Sequence, residues 1–139
     1  FYRLFDSIED VLAYECDIIR KETMETVKSK TFENKNDEII YCIKRWIKNE
    51  TLIKAIIDNK LIGVLYDSHI RNGEQLKKLY SVYCENDDEF ECFVYLLVSL
   101  IFAALAIYFQ EGSEKSVEEV FSIVCRNAGL VIDTWRDRF

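Results

Sequence analysis

The sequence contains no proline and only four glycines. Few positions are therefore obliged to break a helix, which favours an all-helical chain. It contains a single histidine, His69, and no glycine-rich phosphate loop. No Ser/His/Asp or Cys/His arrangement and no phosphate cradle can be assembled from such residues, so catalysis finds no support. Basic residues are also scarce: 18 Lys and Arg stand against 25 Asp and Glu, a net charge of −7. Nucleic acid needs a basic footprint, and anionic membrane surfaces attract basic segments, so both are disfavoured as partners. The acidity weakly favours partners that carry positive charge. Five cysteines, Cys16, Cys42, Cys84, Cys92 and Cys125, show no Cys-x-x-Cys spacing. An odd number without that spacing points to neither a disulfide framework nor a zinc site, and a reducing compartment fits best. No cofactor and no metal is expected, and no signal-peptide pattern is legible.

What the chain has in quantity is apolar surface. Half its 139 residues are hydrophobic and 31% are charged. That is enough for one globular domain over residues 1–139 and argues against disorder. From Cys92 to Phe109 there is no charged residue at all. Such a run is long enough to cross a bilayer, and it is also what a helix looks like when other helices wall it in. Its entrance is acidic, with Glu85, Asp87, Asp88, Glu89 and Glu91, and no basic residues flank it. The usual topological signal of a span is thus missing. Amphipathic segments surround it, each with one apolar face in need of a partner. The run is read as the central helix of an orthogonal bundle, with Ala103, Ala104 and Ala106 allowing close approach of neighbours.

Helical spacing recurs along the rest of the chain. Ser7-Ile-Glu-Asp10 reads as a helix start, opening a helix to about Lys30. A loop follows over Thr31 to Asn36, and Asn36 caps a second helix carrying Ile39, Ile40, Ile43, Trp46 and Ile47. A short third helix carries Leu52, Ile53, Ile56 and Ile57. Leu61 to His69 is ambiguous: Leu61, Leu65 and His69 fit a helix, Gly63 weakens it, and a strand stays open. Arg71-Asn72-Gly73 is a break. Leu76, Leu79, Tyr80 and Tyr83 then form a helical stripe. The acidic turn suits the start of the apolar helix, which Glu111-Gly112-Ser113 ends. Ser116-Val-Glu-Glu119 opens another helix, closed by Asn127-Ala-Gly129, and Leu130 to Phe139 forms a short last one with Trp135. Seven or eight helices result. Trp46 and Trp135 are expected in the core or half-buried, and His69, with no matched nucleophile or metal partner, is expected to be structural.

A hydrophobic central helix wrapped by amphipathic ones in about 140 residues resembles the Bcl-2 family. In that family the central helix begins with Asn-Trp-Gly-Arg, then apolar residues, an aromatic and a small residue. Cys92-Phe93-Val94-Tyr95 stands in that place here, followed by Leu96, Leu97, Val98, Phe102 and Ala104; neither the Gly nor the Arg is present. The family's Trp-x-x-x-Asn-Gly-Gly-Trp is matched by Ile123-Val-Cys-Arg-Asn127-Ala128-Gly129-Leu130, which keeps the Asn and one Gly. Leu79-Tyr80 and Tyr83-Cys84 resemble the apolar pairs of the preceding helix. The divergence is similar to that of viral members.

The resemblance implies a Bcl-2-like fold and a surface groove for the amphipathic BH3 helix of pro-apoptotic host proteins. Carried onto this chain, the groove is lined by Leu65, Leu76, Leu79, Tyr80, Tyr83, Phe93, Tyr95 and Leu97. Tyr95 offers a hydroxyl where the family has its Arg, and Arg71 is the candidate for the ion pair with the ligand. The implied activity is inhibition of apoptosis by sequestration, in the host cytoplasm or at the mitochondrial outer membrane. Membrane attachment would need an anchor beyond Phe139, and a homodimer stays open. A second reading keeps the fold but inhibits innate immune signalling to NF-κB through another surface, without BH3 binding. A third is a small membrane protein with one span.

Overall fold

The computed structural model describes residues 7–80 and 84–136, without the side chains of 75, 79 and 80. Among these residues there are seven helices and no strand: α1 Ile8–Ser29, α2 Lys35–Ile47, α3 Glu50–Asp58, α4 Ile62–Arg71, α5 Gly73–Tyr80, α6 Asp87–Tyr108 and α7 Val117–Arg136. The all-α expectation holds, and the ambiguous stretch before His69 is a helix.

Most boundaries follow from local chemistry. The Ser7 hydroxyl accepts from the Asp10 amide at 3.2 Å and starts α1. Asn86 accepts from the Glu89 amide at 3.0 Å, and Glu89 in turn accepts from the Glu85 amide at 2.9 Å. Reciprocal capping and three acids in the first turn of α6 satisfy free amides and complement the helix dipole. At the start of α7 the Ser116 hydroxyl accepts from the Glu119 amide at 3.1 Å and donates to the Glu119 carboxylate at 3.3 Å. The second helix is capped by Asn34 rather than Asn36. The Asn34 side chain accepts from the backbone amide of Asp37 at 3.0 Å, and Asn36 already lies within the first turn.

The turn from α3 to α4 is closed by two backbone bonds, Lys60 to Ile57 and Leu61 to Ile56. They require a left-handed residue at Lys60, whose φ is 56°. Leu61 then packs against the core and sends α4 into the middle of the molecule. There α4 meets α1, α3, α5 and α6. It buries Val64, Leu65, Ser68 and His69. A second junction is α2, which packs on α1, α3, α6 and α7 and buries Trp46.

Two expectations change. The first concerns α6, which is not walled in on every side. It buries a stripe, Val94, Leu97, Val98, Ile101, Ala104 and Leu105, while Leu96 is 61% exposed. Its length and an 18-residue window of mean hydropathy 2.4 suffice for a bilayer, with 28% of that window buried. Half-buried Phe90, Phe93, Leu100, Phe102 and Ile107 flank the stripe and pack against the core. Each large side chain fully buried contributes about 1.5–3 kcal/mol, so the stripe alone anchors the helix firmly.

The second concerns the end of the chain. Asn127-Ala-Gly129 does not close a helix, because α7 runs unbroken to Arg136. The Asn127 amide donates to the Ile123 carbonyl at 2.8 Å, an in-helix bond rather than a cap. The only left-handed glycine among the described residues is Gly112, in the turn after α6. Beyond Val124 the helix leaves the bundle, and Leu130, Val131, Ile132 and Trp135 are exposed. Trp135 is thus a surface residue, not part of the core.

Candidate functional site

The last turn of α4, the first residue of α5 and the first two turns of α6 converge on an apolar cleft. Ile70, Gly73, Phe90 and Val94 line it, Asp87 and Glu91 stand on its edge, and it encloses about 220 Å³. A β-carbon at position 73 would make only ordinary contact with the Phe90 ring, at 4.0 Å. Ile70, 38% exposed, supplies the accessible apolar surface.

Three sets of contacts hold the walls. The C-terminus of α4 is clamped to α1 through one oxygen. Asp17 Oδ1 accepts from the Ser68 hydroxyl at 2.6 Å, from Arg71 at 3.2 Å and from the Asn72 amide at 3.2 Å. The Lys77 ammonium pairs with Asp87 and ties α5 to α6. Further along, the hydroxyls of Tyr66 and Ser99 bond across α4 and α6, and the Tyr66 and Tyr95 rings lie 5.1 Å apart. Tyr66 is one turn before Ile70, and Tyr95 one turn after Glu91. The Tyr66–Tyr95 pair therefore stands one helical turn from the cleft along both helices.

The residues singled out from sequence do not form one surface. Tyr95 stands on the seam, 42% exposed. Phe93 is half-buried on the core. Leu65 lies in the core, 1% exposed. Leu76 and Leu97 are buried and line an interior cavity. The side chains of Leu79 and Tyr80, and all of Tyr83, lie outside the described residues. Arg71 is joined to Asp17 rather than presented alone. Sequence reading missed Ile70, Phe90 and Val94. The signal for Ile70 was its spacing of four from Tyr66. Phe90 was hidden inside the acidic cluster, which was read as a turn.

Below the cleft, the interior cavity lies among α1, α2, α4, α5 and α6, with a volume of about 20 Å³. Arg20, Thr23, Cys42, Trp46 and His69 contribute to its wall. The His69 ring nitrogen Nδ1 lies 2.8 Å from the Leu65 carbonyl. Burial lowers its pKa to about 4, so the ring is neutral at pH 7. Burial pushes the Cys16 and Cys42 thiols up to about 12, which leaves both protonated and unreactive. Among the described residues no cluster of His, Cys, Asp or Glu is arranged to hold a metal ion.

No family model, curated protein or solved structure matches this chain.

Proposed function

We propose that this chain is a Bcl-2-like binding protein that captures an amphipathic helix, the BH3 motif of pro-apoptotic host proteins, and thereby restrains cell death. It acts by competition: the apolar face it covers is denied to the ligand's target, and no bond is made or broken. The observation that carries the reading is the α4–α5–α6 cleft. Ile70, Phe90 and Val94 line it, and the Tyr66–Tyr95 ring pair lies one helical turn from it along α4 and α6. Helix-in-groove recognition needs such a trough to take apolar anchors one turn apart. The acids on its edge, Asp87 and Glu91, suit a ligand helix with basic flanks and would raise association rate more than affinity. A viral source and a site of action in the host cytoplasm belong to the same proposal.

Calorimetric titration with a panel of synthetic BH3 peptides tests it. At least one peptide is expected to bind with a Kd below about 1 μM. Silence across the whole panel would remove the proposal.

One observation favours the second use of such a bundle, inhibition of innate immune signalling to NF-κB through a different surface. Leu65, Leu76 and Leu97 fill the interior instead of standing open, and α7 exposes Leu130, Val131 and Ile132 away from the cleft. A silent panel together with reporter inhibition lost on Val131→Asp would select that reading.

A further inference from the structure

Two of the residues that line the cleft are charged, Asp87 and Glu91, and both are acids. They stand one helical turn apart on α6. Their situations differ. Asp87 already has a cation, the Lys77 ammonium from α5. Glu91 is exposed, and among the described residues no ion pair or hydrogen bond engages its carboxylate. We propose, on the helix-binding reading above, that Glu91 selects the ligand: the helix in the cleft carries a lysine or arginine on the edge of its apolar stripe that faces α6, and this cation pairs with the Glu91 carboxylate.

Desolvation sets the requirement. Glu91 follows Phe90 and precedes Val94 by one turn, and all three line the same cleft. An apolar helix face laid on Phe90 and Val94 displaces water from Glu91 as well. A carboxylate that loses water without gaining a donor is costly. A lysine or arginine answers both its charge and its lone pairs. A ligand acid at that point would face two carboxylates and be repelled.

The surroundings offer an acidic ligand residue no better place. Arg71, which follows Ile70, is bound to Asp17 at 3.2 Å. Lys77 is engaged by Asp87. Lys78 is exposed on α5 but does not line the cleft, and Glu74 on the same helix adds a further negative charge. A pair at an exposed rim adds little affinity, so its effect is to discriminate between ligands.

The tightest peptide of the BH3 panel supplies the test. Beside its central apolar anchor, the residue at each edge of the stripe is made lysine, glutamine or glutamate in turn. Every peptide is titrated against the parent and against Glu91→Lys. At one of the two edges the parent should prefer lysine to glutamate by about tenfold in Kd, with glutamine between, and added salt should shrink the preference. Glu91→Lys should reverse that order at the same edge, with an unchanged unfolding midpoint, because Glu91 is exposed. A merely structural role for Glu91 would weaken all the peptides alike. Binding indifferent to charge at both edges, or the parental order retained in Glu91→Lys, would overturn the assignment of Glu91 and leave helix binding standing. Silence across the whole panel would remove helix binding and this assignment with it. If Glu91→Lys does not fold, Glu91→Gln takes its place and should abolish the preference; a preference retained there refutes the role of Glu91.

Discussion

Helices α4 and α6 make opposite use of their composition. The long α6 contains an 18-residue window of mean hydropathy 2.4 and dominates the sequence, yet Tyr95 and Leu96 face outward. The ten-residue α4 contains Gly63, Asp67, Ser68 and His69, and it is the junction where α1, α3, α5 and α6 meet. Apolar composition states how much surface a helix can bury, not how much its neighbours cover. A helix with polar groups can occupy a centre when each group is answered. Ser68 binds Asp17, and the His69 ring binds the Leu65 carbonyl. The surplus apolar surface of α6 is what borders the cleft.

Paired truncations put the contrast at risk most severely. Leu65→Ala in α4 should cost about 2–5 kcal/mol, since a wholly buried leucine leaves a cavity. Leu96→Ala in α6 should stay within about 0.5 kcal/mol. Urea denaturation measures both, and a large loss at Leu96 would mean that α6 is encased after all.

Acid should act through α4 next. The native state holds His69 neutral with a pKa of about 4, against 6.5 for the ordinary imidazole. Between those values the unfolded chain binds the extra proton, so stability falls as pH drops from about 6.5 to about 4 and is unaffected above. The loss at the acid end approaches about 3 kcal/mol. In His69→Gln this contribution to the pH slope disappears. A parent and variant with superimposable pH–stability curves would show that His69 titrates freely.

Removal of the clamp on α4 comes third. Asp17→Ala leaves the buried Ser68 hydroxyl without its acceptor and frees Arg71 and Asn72. A loss of about 1–3 kcal/mol is expected in the same urea assay. Hydrogen exchange should quicken in α4 before it does in α6.

The smallest effect concerns the turn that delivers α4. Lys60→Gly should stabilise by about 0.5–1 kcal/mol, because glycine adopts the left-handed conformation at φ 56° without steric cost. A destabilised glycine variant would indicate that the Lys60 side chain contributes more than its backbone costs.

Features set by neighbours in sequence were readable. Ser7, Ser116 and the Asn72–Gly73 break act where their local chemistry places them, and so does the Gly112 turn. Features set by neighbours in space were not. Periodicity marks a face as apolar without saying what lies against it; the family resemblance carried Leu65, Leu76 and Leu97 onto a groove, but they lie inside. Trp135 was expected in the core or half-buried, and it stands 50% exposed on α7. Asn127 and Gly129 resembled a stop signal, yet Asn127 bonds within the helix and Gly129 has no left-handed twist. The cleft escaped notice because Ile70, Gly73 and Phe90 come from three elements, which only the packing of α4 on α5 and α6 brings together.

The cleft is the central claim, and Ile70 tests it most directly. Ile70→Asp places a charge on the cleft wall at a residue already 38% exposed, so the fold should tolerate it. In fluorescence titration against the tightest BH3 peptide, the parent should saturate with a Kd below about 1 μM. The variant, with an unchanged unfolding midpoint, should bind at least about tenfold more weakly, as expected when a buried anchor contact is replaced by a charge. Equal affinity of parent and variant would place the helix elsewhere on the molecule and contradict the account.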